Sequence, residues 1–127
     1  MQKEKLIFEL TAKVEYASIL VESEQVQGDA DHGDWNRDGA LAHLLPGSLV
    51  VGVRAPEDGA VAIQVIRGDS FSETLPIVAF SGEVDSSDGR FFIQDHMGNF
   101  RLALSSSGLF EIRVDEFDAS RVQIIFW

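Results

Sequence analysis

Apolar and polar residues alternate along most of this chain with a period of two, the spacing of a half-buried β-strand. Leu6, Phe8, Leu10, Ala12, Val14 and Tyr16 fall on one side of the first such segment, and Glu9, Thr11, Lys13 and Glu15 on the other. The pattern predicts a long first strand, bent near Thr11 or Ala17. After a phase slip at Ala17-Ser18, a second strand covers 19–21. Further strands are predicted over 48–54, 60–67, 75–84, 90–94, 99–104, 109–114 and 122–127. Pro76 stands at the start of its strand, where a missing donor is tolerated. Between the strands lie turn signals: Pro56-Glu57-Asp58-Gly59, which reads as a hairpin turn, then Gly68-Asp69-Ser70, Ser86-Ser87-Asp88-Gly89 and the segments 95–98, 105–108 and 115–120.

One segment departs from this rhythm. Leu41, Leu44 and Leu45 are spaced i, i+3, i+4 and are followed by Pro46-Gly47. That spacing predicts a short helical turn near residues 38–45, with Asp38 available as its N-cap. Eight or nine short strands at regular spacing, without βαβ alternation or an internal repeat, predict an all-β fold. The expected architecture is one domain over residues 1–127, an antiparallel, jelly-roll-like β-sandwich with that one helical turn.

Composition narrows the class. A chain of 127 residues with 45% apolar content is long and apolar enough to bury a core. It has no cysteine, which excludes a disulfide framework and thiolate chemistry. The apolar run Leu6-Ile7-Phe8 is cut at once by Glu9, so no signal-peptide core forms, and no run approaches a membrane helix. The expectation is a cytoplasmic protein. The net charge of −11 is unevenly distributed: Lys3, Lys5 and Lys13 are the only lysines, and from residue 14 onward 19 Asp and Glu face 7 Arg. Such a chain repels nucleic acid and anionic membranes, and it favours a basic protein partner or a divalent cation. Solubility alone also accounts for acidic composition.

The densest chemistry lies in residues 28–39, where Asp29, Asp31, Asp34 and Asp38 gather with Trp35 and Asn36. Asp34, Asn36, Asp38 and Gly39 match positions 1, 3, 5 and 6 of a calcium loop, in which oxygens approach the ion from a turn that Gly permits. Position 12, which should be a bidentate Glu, is Leu45, and no long helix precedes Asp34. The competing reading is an Asx-rich surface loop that caps the helical turn, and it is preferred. Trp35 and Trp127 read as structural plugs, Trp35 with a second role as an interface anchor. His32, His43 and His96 lack metal-ligand spacing and are expected to face solvent. No nucleophile elbow or phosphate-binding Gly-rich loop occurs. The expected contact surface is therefore Asp29, Asp31, Asp34, Trp35 and Asp38.

The order Val14-x-Tyr16, Asp34-Trp35, Leu49-Val50-Val51-Gly52-Val53, the strand from Leu75 to Glu83, Arg90-Phe91-Phe92-Ile93-Gln94-Asp95, the strand from Phe100 to Leu104, that from Ser107 to Val114 and the closing run Val122 to Trp127 resembles the small bacterial β-sandwich family of competence protein J, a nuclease inhibitor. The resemblance covers most of the chain from about Val14. It implies a sandwich that binds and blocks a nuclease or another protein, and an acidic inhibitor competes with DNA for a basic cleft. The leading expectation is a non-enzymatic, cofactor-free, acidic protein-binding module of the inhibitor or immunity type, with a nuclease or toxin as partner. A calcium-stabilised sandwich that binds a ligand or carbohydrate is the first alternative, and an enzyme with an unidentified acidic pocket the second. The long first strand leaves open a homo-oligomer joined by sheet extension. If the loop caps and does not chelate, the thermal midpoint will be the same with calcium and with chelator. A calcium-dependent rise that disappears in Asp34→Ala and Asp38→Ala would establish the metal instead.

Overall fold

The computed structural model describes residues 5–26, 32, 41–68 and 74–127. Among them run ten strands: β1 (Lys5–Ala12), β2 (Ser18–Ser23), β3 (Ala42–Leu45), β4 (Ser48–Gly52), β5 (Val61–Arg67), β6 (Ile77–Glu83), β7 (Arg90–Asp95), β8 (Arg101–Ser105), β9 (Leu109–Val114) and β10 (Arg121–Phe126). They form two five-stranded sheets, one ordered β1-β5-β10-β9-β6 and the other β3-β4-β2-β7-β8. Helical structure among the described residues is limited to single 3-10 turns at Glu15–Ala17, Glu24–Val26 and Pro56–Asp58. The expected all-β sandwich is what the chain forms.

Its core is the space between the sheets. Ile19, Val21, Leu49, Val51, Phe91 and Ile93 from the second sheet share one buried cluster with Ile63, Val65, Phe110, Ile112, Val122 and Ile124 from the first. Because successive side chains of a strand point to opposite faces, these alternate positions fill one layer. Phe91 and Phe110 meet edge-to-face across it at 5.1 Å. The first sheet is antiparallel except in its middle, where β10 and β5 run parallel with Ile124 opposite Val65. A parallel pair must be covered on both faces. Accordingly Val122 through Phe126 are all buried, and Gln123 meets Gln64 on the outer side while its Oε1 accepts from the Leu75 N–H at 2.8 Å.

Four sequence expectations change. Ala42–Leu45 is a strand, not a helical turn, and Leu45 pairs with Ser48 across Pro46-Gly47. Gly47 has φ +75, so Pro-Gly makes a tight two-residue hairpin and does not stop a helix. Four residues with edge pairing available gain more from a ladder than from one unpropagated helical turn. Asp58-Gly59 does not tip a hairpin either: β4 and β5 belong to different sheets, and the Pro56–Asp58 turn carries the chain between layers. Tyr16 leaves the apolar face of the first strand. It and Ala17 adopt left-handed backbone, φ +62 and +52, and the phase slip there sends the chain from β1 in one sheet to β2 in the other. Finally, the Leu75 strand begins only at Ile77.

Both edges of the first sheet carry register breaks, between Leu6 and Phe8 on β1 and between Val78 and Phe80 on β6. Irregular edges resist pairing with another sheet. The chain closes on Trp127, whose N–H donates to the Leu109 carbonyl at 3.1 Å and whose indole lies over Gly68. The ring stays 38% exposed, so it covers Gly68 from outside and does not plug the sandwich as expected.

Two glycines in turns provide a paired test. Gly108 has φ +99, and a Cβ there would lie 2.9 Å from the Val84 carbonyl oxygen. Gly98 has a similar φ of +72, but nothing lies within 4 Å of its Cβ position. Gly108→Ala should therefore cost about 2–4 kcal/mol in urea unfolding, against about 1 kcal/mol for Gly98→Ala. Equal costs would show that the packing of residue 108 against Val84 does not matter.

Candidate functional site

The second sheet is unusual on its outer face. Strands β2 and β4 are buried at every position, the outward Ser18, Leu20, Glu22, Ser48 and Val50 included. In register across this face run Leu45, Ser48, Glu22, Phe92 and Ala103, with His43, Val50, Leu20, Gln94 and Arg101 in the next row. The Arg101 guanidinium stacks 3.8 Å above the Phe92 ring.

Glu22 is only 2% exposed, and a buried carboxylate needs donors. Ser48 Oγ donates to its Oε2 at 2.7 Å, and Gln94 Nε2 donates to its Oε1 at 3.1 Å. Ser48 has a single O–H, which is directed to Glu22. The 2.8 Å contact between Ser48 Oγ and His32 Nε2 is then an N–H donating to the hydroxyl. With His32 protonated on Nε2, its Nδ1 accepts from His43 Nδ1–H across 2.9 Å when both rings are neutral. A directed chain of donors thus runs from His43 through His32 and Ser48 to Glu22. The expectation of solvent-facing histidines fails for His32 and His43, which are half-buried and paired. It holds for His96, which is exposed, although Ser18 Oγ lies 2.7 Å from its Nε2. No local spacing signals the His32–His43 pair, because the fold joins residues eleven apart.

The other sequence candidates, Asp29, Asp31, Asp34, Trp35, Asn36 and Asp38, lie outside the described residues. His32 is the one described residue between Val26 and Leu41, and it sits on the outer face of the second sheet through the contacts above. Among the described residues, no three His, Asp or Glu side chains converge as a metal site.

The described surface is acidic at both ends of the sandwich. At one end the turn 15–17, the crossing 53–60 and the turn 115–120 are tied together, Val53 N–H donating to the Ala17 carbonyl at 2.9 Å and Arg54 N–H to that of Ala119 at 3.1 Å. This end exposes Glu15, Glu57, Asp58, Glu116 and Asp118 beside Tyr16 and Phe117, with Tyr16 71% exposed and edge-on to His96. Asp115 organises the turn, accepting from the N–H groups of Ser120 and Arg121 at 3.0 and 3.1 Å and from the Ser120 hydroxyl. Burial pushes its carboxyl up, but these donors outweigh burial and hold it below the usual carboxylate range. Holding Tyr16 and Ala17 in left-handed backbone costs about 1–2 kcal/mol each, so this aromatic ring is displayed at a cost in stability.

At the opposite end, the β3–β4 hairpin faces the crossing from β6 to β7. The Gln25 Oε1 accepts from Ser23 and Ser86 hydroxyls at 3.0 and 3.3 Å, and this clips the Glu24–Val26 turn to that crossing. Two adjoining depressions of 390 and 240 Å³ flank Pro46 here, and both touch Pro46 and Asp85.

Comparison with known proteins gives one fold likeness and no sequence likeness. No protein-family model matches the chain, and no curated protein matches it. In fold, the chain is similar to a crystal structure of ComJ from Bacillus subtilis, inhibitor of the DNA degrading activity of NucA. The TM-score is 0.64 over 97% of this chain and 96% of that one, at 10% identity. At that identity the likeness concerns the fold.

Removing the middle link of the buried chain tests its structural weight. Ser48→Ala leaves Glu22 short of a donor and His32 Nε2–H without its acceptor, and should lower stability by about 1–3 kcal/mol in chemical unfolding. A loss no larger than that of Ser87→Ala, an exposed serine, would mean that the chain contributes nothing.

Proposed function

We propose that this chain is a non-enzymatic protein-binding module of the inhibitor type, whose acidic surface engages a basic partner such as a nuclease. The observation that carries the reading is charge: a net −11 on a β-sandwich whose described ends expose carboxylates beside apolar side chains. A nuclease binds a polyphosphate and so presents a positively charged cleft, and an acidic protein of this size competes for it. The end-to-end fold likeness to ComJ, described as an inhibitor of the DNA degrading activity of NucA, supports the same reading. Exposed Tyr16 and Phe117 among the acids fit an interface in which aromatic anchors supply affinity while charge supplies steering. The Asp-rich segment with Asp29, Asp31, Asp34, Trp35 and Asp38 extends the same acidic chemistry. None of the described residues forms a helix long and apolar enough to cross a membrane.

The test is dose-dependent protection of duplex DNA from a NucA-type nuclease, with binding followed by calorimetry. Affinity should fall by about tenfold or more between 50 and 500 mM salt, since the pairing is charge-driven. Tyr16→Ala and the pair Glu116→Lys with Asp118→Lys should each weaken it by about tenfold. The reading is overturned if neither protection nor binding occurs at low salt, or if binding is indifferent to both salt and charge reversal.

A further inference from the structure

The two depressions around Pro46 form one shallow groove, open to solvent, at the end of the sandwich opposite Tyr16. One lobe is lined by Ser23, Gln25, Val26, Pro46, Gly47 and the crossing residues 85–87. The other is lined by Leu44, Leu45, Pro46, Glu83 and Asp85. The two chemistries are segregated. Apolar surface comes from Val26, Leu44, Leu45 and Pro46, all on the β2–β3–β4 side, and Leu44 is markedly exposed for its size. Carboxylates come from Glu83 and Asp85 on the side of β6 and the β6–β7 crossing. Among the described residues neither carboxylate makes an ion pair. Arg90, the described cation closest to them in sequence, lies 3.9 Å from Glu24 and also acts on Asp88.

The groove is also pre-built. Gln25 bridges Ser23 and Ser86, and its side chain, first among several donors, holds Asp88 below the usual carboxylate range. Asp88 Oδ1 in turn accepts from the Arg90 N–H at 3.1 Å and shares the single Ser86 O–H, also 3.1 Å away, with Gln25 Oε1. Opposite, Gly47 packs against Val26, a Cβ at residue 47 falling 3.0 Å from a Val26 methyl carbon. Both walls are thus fixed by contacts that do not use Glu83 or Asp85, so filling the groove requires no reorganisation.

A shallow groove with apolar surface on one side and carboxylates, unpaired among the described residues, on the other matches one kind of side chain, an aliphatic stem that ends in a cation. Guanidinium fits better than ammonium, because it is flat, weakly hydrated and able to lie along a proline ring while its N–H groups reach two carboxylates. We infer that the groove between the Pro46-Gly47 hairpin and the Glu83–Asp85 rim receives an arginine side chain from a protein partner. The inference rests on the inhibitor reading above and gives that reading a specific contact.

The experiment uses the whole chain and a small probe, N-acetyl-arginine methylamide, titrated into 15N-labelled protein. Saturable shifts are expected at the amides of Ser23, Gln25, Val26, Gly47, Asp85, Ser86 and Ser87. The isosteric but neutral citrulline derivative should bind at least about tenfold more weakly, and so should arginine probe to the near-isosteric Glu83→Gln/Asp85→Asn double variant. Unchanged amide dispersion in that variant will show that it is folded. The inference is overturned if the shifts spread over the acidic surface and survive the double variant, if citrulline binds as well as arginine, or if the lysine derivative binds more tightly. Salt-sensitive binding of a basic nuclease that persists undiminished in the double variant would remove the groove from the interface and leave the inhibitor reading standing.

Discussion

The inner faces of two sheets must meet without water between them, and the connections of this molecule follow from that. The chain changes sheet between β1 and β2, β4 and β5, β6 and β7, and β8 and β9. Each crossing is an end where backbone must turn sharply while the alternate residues Ile19, Val21, Leu49, Val51 and Ile93 stay over Ile63, Val65, Ile112, Val122 and Ile124. A slip of one residue in any strand would turn its apolar set outward. The irregular backbone at Tyr16-Ala17 restores phase between β1 and β2, and the Pro56–Asp58 turn carries the chain back to the first sheet.

The second layer of burial, on the outer face of the second sheet, follows different physics. An antiparallel sheet can leave that face in water. Here Leu20 and Val50 are buried there, and Glu22 is buried with them. Its carboxylate is met by neutral donors from two neighbouring strands, and the Ser48 hydroxyl passes the demand on to His32 and His43. Breaking such a network part-way is costlier than never building it, because each remaining group is left buried without a partner. It specifies where His32 sits on that face.

Period-two alternation made most strands legible, because each has one wet and one dry face. It failed where that condition fails. The strand over 122–127 was legible, but not the burial of Ile124-Ile125-Phe126 on both sides nor the parallel pairing with β5, some sixty residues earlier, which no local pattern records. At 41–45 three leucines mimicked a helical stripe over a stretch too short to sustain one, and a two-residue Pro-Gly turn made it a hairpin. Tyr16 continued an alternation that its own left-handed backbone ends. Of the candidate sites, the sequence flagged the Asp-rich segment and missed both constellations that described residues assemble. Glu22, Ser48, His32 and Gln94 come from separate strands and one connection, and the groove joins Val26 and Pro46 to Asp85 only through the packing of three turns.

The edges of the sheets bear on how such a scaffold diversifies. The first sheet ends in two strands with broken register, and the second ends in strands of four and five residues. None offers a long, flat row of backbone donors and acceptors to a partner. On the proposed reading, recognition falls to side chains on the turns, which the ladders position but whose identity the ladders do not restrict. Contact residues can be exchanged without disturbing a single strand pairing, so partner choice is free to drift over evolutionary time while the sandwich persists. The end-to-end fold likeness at 10% identity shows how few residue identities this arrangement of strands requires.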